Sequence, residues 1–209
     1  MKFDMSCKVY SIVFSKLFRK IYKKYFPDSD VSTIIKDVKK EYKAMIKRTP
    51  GLSKNNYMAS NLKGAAYFFS IAKKAPNMTP ELMDKMVEEC MYSNFMMKLN
   101  KKKREKGLLF SDKAQDRIYQ DSLRSQKSND EMDWKFTFEK GINEMKYNMV
   151  KCGVCRLAKR ENVLEYLPCM CKMDYSKYEV AGAKLIRTKT LANGDDICDF
   201  HLIRIEKDK

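Results

Sequence analysis

Five of the seven cysteines and the only histidine of this chain lie between Cys152 and His201. They fall into close pairs: Cys152 with Cys155, Cys169 with Cys171, and Cys198 with His201. Thiolate and imidazole are ligands of structural zinc, which is held by two such pairs, each on a knuckle or turn. Cys152 and Cys155 have that spacing. Cys198 and His201 fit poorly, because residues three apart on a strand point to opposite faces. Cys169 and Cys171 flank a single residue of a predicted helix and also diverge. The pattern therefore calls for no metal and no cofactor. A second chemistry starts from Cys171 and Asp174. Residues three apart on a helix share a face, so the thiol and the carboxylate would be neighbours. Such a pair suits attack on an electrophilic carbon with proton transfer. A core cysteine beside a surface acid would show the same spacing, and spacing alone does not separate the two.

The elements that must position these residues follow from periodicity. From Asp133 the apolar period changes to two: Trp134, Phe136 and Phe138 alternate with polar residues and predict a half-buried strand. Lys140-Gly141 turns it into a second strand, with Met145, Tyr147 and Met149 on one face. Residues 163–181, broken only by Pro168, read as helix, and 184–191 as strand. Asn193-Gly194 is a strong hairpin signal. The last strand, 197–205, would turn Cys198, Phe200 and Leu202 inward. The expectation is an α+β fold: an N-terminal helical layer, then a small antiparallel sheet (ββ-α-ββ) packed with helices. Residues 1–130 form the helical region, part of the same compact unit, and 131–209 the cysteine-rich region carrying the site.

Within that helical layer, 8–26 predicts a basic amphipathic helix with Val9, Ile12, Val13, Leu17 and Ile21 on its apolar face. A membrane-surface helix has this composition too; docking onto the domain is the plainer account. Pro27-Asp28-Ser29-Asp30 ends it. A second helix carries Val31, Ile34, Ile35, Val38, Tyr42 and Met45, and a third, over 59–73, is apolar on nearly every side. Thr79 and Pro80 start a fourth, with Leu82, Met86, Val87, Cys90 and Met97 inward. The charge run 98–107 reads as a solvated helix end and linker. The polar stretch 111–129 reads as a helix anchored by Ile118 and Leu123, mobile or lying over the site.

At 209 residues with 44% apolar content, the chain is long enough to bury a real core. Its seven cysteines are an odd number on too large a chain for a disulfide framework, so reduced thiols in a cytoplasmic setting are expected. No apolar run approaches the length of a membrane span. The net charge of +16 favours anionic partners. Lysines nevertheless lie on nearly every polar helical face and no nucleic-acid motif stands out, which disfavours nucleic acid as the partner.

Several segments resemble the L-2-amino-thiazoline-4-carboxylic acid hydrolase family, a family of bacterial type. They are Trp134-Lys-Phe-Thr-Phe-Glu139, Cys152-x2-Cys155, Leu167-Pro168…Cys171-x2-Asp174 and Arg187-Thr-Lys-Thr-Leu-Ala-Asn-Gly194…Cys198-Asp199-Phe200. Upstream, Pro50-Gly51-Leu-Ser-Lys-Asn55, Asn61-Leu62…Gly64-Ala65-Ala66 and Ser125-Gln126-Lys127 are similar to its helical half. Two positions depart from the family pattern: Lys151 stands where an acid is frequent, and His201 where Arg is. The resemblance implies a hydrolase acting on a carbon–nitrogen bond of cyclic amidine type. Its substrate would be a small cyclic isothiourea carboxylate, opened to N-carbamoyl-cysteine. It implies Cys171 and Asp174 as catalytic residues: Cys171 attacks or activates the carbon and Asp174 shuttles protons, or water attacks directly with Asp174 as base. Arg187 would hold the substrate carboxylate, with Thr188, Cys152, Cys198 and His201 also against substrate. A non-catalytic carboxylate-binding module and a cysteine-rich metal-binding domain are the alternatives, and nothing in the sequence speaks against an oligomer.

Overall fold

The computed structural model describes residues 1–53 and 56–205, apart from the side chain of residue 102. In chain order its helices are α1 (Met5–Tyr25), α2 (Val31–Arg48), α3 (Ala59–Lys74), α4 (Pro80–Met91), α5 (Asn94–Glu105) and α6 (Asp112–Lys127). Strands β1 (Lys135–Glu139) and β2 (Glu144–Lys151) follow, then α7 (Gly153–Arg160), α8 (Leu167–Val180), β3 (Ala183–Ile186) and β4 (Cys198–Arg204). This is the expected α+β order of helices, two strands, helices and two strands. The chain packs as two compact units, both discontinuous in sequence. One comprises Met1–Cys90, Asp130–Met132 and Gly153–Cys169; the other comprises Met91–Asn129, Asp133–Cys152 and Met170–Lys209.

The first unit is helical. Asp30 caps α2 by accepting from the backbone N–H groups of Ser32 and Thr33, and Thr79 Oγ1 caps α4 by accepting from Leu82 N at 3.2 Å. Val31, Ile34, Ile35, Val38, Tyr42 and Met45 are all buried, as the three-and-four spacing of α2 predicts. The face of α1 differs from expectation. Val9 and Ile12 are 52% and 61% exposed, while Cys7, Ser11, Ser15, Phe18, Ile21 and Tyr22 are buried. The reason is aromatic packing from α3: Phe14 lies 5.1 Å from the ring of Phe68, and Ser15 Oγ hydrogen-bonds Tyr67 Oη at 2.8 Å. Turning Phe14, Phe18 and Tyr22 inward covers more apolar area than turning in Val9 and Ile12. On α4 Met86, Val87 and Cys90 are buried as expected, and Met83 rather than Leu82 joins them. Met97 belongs to the next helix and is 38% exposed. Helix α7, absent from the sequence reading, buries Leu157 and Ala158 against α3.

The second unit is built on a four-stranded antiparallel sheet in the order β1-β2-β4-β3. Register pairs Phe136 with Met149, Tyr147 with Phe200 and Met145 with Leu202, so one face is continuously apolar. The β1–β2 turn needs Gly141: a Cβ there would sit 2.2 Å from Glu144 O. The β3–β4 connection is not a two-residue hairpin at Asn193-Gly194. It runs through a short 3-10 turn, Leu191–Asn193, closed by Gly194 at φ 92°.

Helix α6 is not a loose cover. It lies along the edge strand β1 and satisfies that strand's open hydrogen-bonding groups. Phe136 N donates to Ser125 Oγ at 3.2 Å and Gln126 Nε2 donates to Phe136 O at 2.7 Å. Gln115 brackets Gly141 with two bonds of 2.9 Å. Ile118 is fully buried, whereas Leu123, its expected co-anchor, is 46% exposed. Arg124 donates from Nη1 to Asp133 Oδ2 and from Nε to Asp121 Oδ1, both at 2.6 Å. The Asp133 and Asp121 side chains are 1% and 4% exposed. Removing the cation strands two buried carboxylates, so Arg124→Met is expected to cost about 3 kcal/mol. Urea denaturation checks this: an unshifted midpoint in the variant would mean that the network carries no net stability.

Candidate active site

The thiol, carboxylate and guanidinium singled out from the sequence all belong to the second unit and meet there. Helix α8 starts with Pro168 in its first turn, a position where the missing N–H costs nothing. One turn later the three-residue spacing puts Cys171 and Asp174 on the same side of the helix. Arg187, just past the end of β3, reaches them: Nη1 donates to Asp174 Oδ2 at 3.1 Å and Nη2 to the backbone carbonyl of Cys171 at 2.7 Å. Its side chain is 3% exposed, against 21% for that of Asp174. The guanidinium carbon lies 4.8 Å from the Phe200 ring centroid and 5.1 Å from that of Tyr175. Two aromatic rings thus lie within cation–π distance, an arrangement suited to a planar, weakly hydrated guanidinium. The third guanidinium nitrogen, Nε, is buried with no hydrogen-bond partner.

The loop that delivers Arg187 is tied to β4 by Asp199. Its carboxylate accepts from Thr188 N at 3.0 Å, Thr188 Oγ1 at 2.6 Å and Lys189 N at 2.6 Å. Burial works against the Asp199 charge, but these donors hold its carboxyl below the usual range. Further along, Leu191 N donates to Cys198 Sγ at 3.2 Å. Asp199, Tyr175 and Phe200 were not expected at this site. The only sequence signal for them is the Arg187-Thr188 pair facing Asp199-Phe200 across the β3–β4 connection.

Cys152 and Cys198 lie close enough to Cys171 to raise its thiol electrostatically. Burial first, then the Asp174 carboxylate and Cys152, push the Cys171 thiol up to about 12, against the opposing pull of Arg187. Burial likewise takes Cys198 up to about 11. Burial, the largest single influence, lowers the pKa of Arg187, but Asp174, Cys171 and Tyr175 together outweigh it and the net shift is upward. At neutral pH the site is a protonated thiol beside an ion pair.

The remaining sequence candidates are placed elsewhere. Thr188 spends its hydroxyl on Asp199 and is exposed. His201 alternates away from Cys198 and Phe200 onto the other face of the sheet, where Nε2 lies 2.6 Å from Glu144 Oε2. Cys169 is buried in the first unit, with Sγ 3.2 Å from Pro80 O. Among the described residues no three His, Cys, Asp or Glu side chains are placed to hold a metal ion, and no cysteine is in a disulfide. Among the described residues no helix is long and apolar enough to cross a membrane.

The family model described as L-2-amino-thiazoline-4-carboxylic acid hydrolase matches residues 54–202, a span that contains every residue of this constellation. The chain belongs to that family. Curated proteins and solved structures yield no match. Within this L-2-amino-thiazoline-4-carboxylic acid hydrolase family member, Lys54 and Asn55 of the Pro50–Asn55 segment lie outside the described residues.

A thiol held at about 12 exposes far less thiolate than an ordinary cysteine near 8.5. Iodoacetamide at pH 8 should therefore modify Cys171 roughly a thousandfold more slowly than a small free thiol. Peptide mapping by mass spectrometry gives the rate; modification at the free-thiol rate would rule out the buried, protonated state.

Proposed function

We propose that this protein is a hydrolase that opens a small cyclic isothiourea carboxylate of the L-2-amino-thiazoline-4-carboxylate type, giving N-carbamoyl-cysteine. The observation that carries the reading is the Cys171–Asp174–Arg187 cluster lying within the family-matched segment.

The buried, unpartnered Nε of Arg187 supports a role for that residue against the substrate carboxylate. Each Nη already donates once, to Asp174 and to the Cys171 carbonyl, so Nε is the guanidinium nitrogen left for a charge-assisted hydrogen bond to the carboxylate. The protonated state of Cys171 favours water over the thiolate as nucleophile. In this route Asp174 takes a proton from a water molecule whose oxygen adds to the carbon between the ring nitrogen and the sulfur. The carbon–sulfur bond then breaks, and Asp174 returns the proton to the departing sulfur. The second proton of the water passes to the ring nitrogen, whose double bond to that carbon becomes single. The oxygen of water thus ends as the carbamoyl oxygen, and the ring carbon–nitrogen bond survives in the product. Cys171 lies against the reacting carbon and shapes the site, with Cys152 and Cys198 as pocket lining.

The water route makes unequal demands on the two catalytic candidates. With L-2-amino-thiazoline-4-carboxylate as substrate and product followed by mass spectrometry, Asp174→Asn should lower kcat by at least about a hundredfold. Cys171→Ser should lower it by less than about tenfold, since no covalent intermediate is lost. A dead Cys171→Ser enzyme beside an active Asp174→Asn enzyme would reverse the assignment. Saturable binding of the substrate by the parent protein without any turnover would instead identify a carboxylate-binding module.

A further inference from the structure

The outward face of α1 lies outside the family-matched segment and is used by nothing described so far. Met5, Val9 and Ile12, spaced four and three apart, form one stripe and are 69%, 52% and 61% exposed. Continuing along the same side at helical spacing come Lys16, Lys20 and Lys23, all exposed, with Lys8 and Arg19 flanking the stripe. The helix contains no acidic residue at all. Asp4, its N-cap and the nearest acid, is already engaged by Lys63 Nζ at 2.6 Å. Lys24 is matched by Glu89, and Arg19 donates to Ser32 Oγ at 3.1 Å. Among the described residues no acid pairs with Lys8, Lys16, Lys20 or Lys23.

An apolar stripe next to unneutralised lysines on one exposed helix face fits a surface that is anionic and apolar at once. We propose that α1 is a docking face for an anionic lipid bilayer. The helix would lie in the interfacial plane, with Met5, Val9 and Ile12 entering the headgroup–acyl boundary and the lysines over the headgroup charges. Charge complementarity decides against the other occupants. A second copy of the chain would bring the same lysines against their own kind, at a cost that three aliphatic side chains do not offset. Nucleic acid would answer the lysines but not the aliphatic stripe. The opposite face of α1 is buried in its own unit, so the helix can present this side without unfolding.

Vesicle flotation of the full chain tests the proposal. Binding is expected to vesicles of phosphatidylcholine with about one-third phosphatidylglycerol, to be absent with phosphatidylcholine alone, and to weaken with salt. Removing Lys16, Lys20 and Lys23 together by alanine substitution should weaken binding about a hundredfold, taking roughly fivefold per lysine near a charged surface. The double variant V9E/I12E should lose at least about tenfold while unfolding at the parent temperature, because both positions are solvent-exposed. No binding to anionic vesicles, or equal binding by V9E/I12E, overturns the proposal. So does a parent dimer in sedimentation that V9E/I12E dissociates while vesicles remain unbound.

Discussion

The guanidinium of Arg187 is the contact on which the second unit's site depends. A cation with a side chain 3% exposed loses most of its hydration, and that loss is tolerable only where other groups replace it. Here Asp174 supplies the opposite charge, the Cys171 carbonyl accepts a second donor, and the Phe200 and Tyr175 rings lie within cation–π distance. These partners come from α8 and β4, and Arg187 itself follows β3, so one side chain fixes three elements. A lysine would bring a single point charge to a place that requires a fork and a stackable plane. The bond to the Cys171 carbonyl also sets where that turn of α8 stands, and hence where its thiol and carboxylate project.

The same arrangement limits the chemistry of the thiol. A cysteine becomes a nucleophile when a neighbouring cation stabilises its thiolate. Arg187 is such a cation, but Asp174 already neutralises it. The carboxylate therefore acts on the thiol twice, by taking up the stabilising charge and by repelling a second negative charge. Adjacent Cys152 adds to the repulsion. A carboxylate with its cation and a thiol kept neutral are the natural division of protons in this cluster, and it is this division that supports the proposed role of Asp174 in moving protons.

Where one physical signal dominated, the sequence was readable. The period-two alternation of Phe136, Phe138, Tyr147, Phe200 and Leu202 placed the apolar face of the sheet, and the i, i+3 spacing placed Cys171 beside Asp174. The misreadings have distinct causes. On α1 two apolar stripes compete, and only the presence of Phe68 and Tyr67 on α3 decides which is buried. On α6 the inward face is largely polar (Gln115, Asp121, Ser122 and Ser125) because it serves backbone groups of β1 and buried charges rather than an apolar core. Hydrophobic periodicity is blind to such a face. Helix α7 is only eight residues long, too short for its period to stand out. The Asp199 anchor depends on a side chain reaching across the β3–β4 connection, which local spacing does not reveal.

Strand alternation also decides what residue 201 can affect. On β4, Cys198 and Phe200 face the buried side, while Asp199 and His201 face the other way. Asp199 exploits its outward position to hold the loop that carries Arg187, so a single strand positions the site from both faces. His201 has no such reach. It stands across from Lys146 and bonds Glu144, whose carboxyl is held below its ordinary range first by that hydrogen bond and then by Lys146. An arginine at this position would meet the same acid with a permanent charge and would still point away from Arg187. A change of residue at 201 therefore alters a surface contact with Glu144 and leaves the Arg187 cluster untouched.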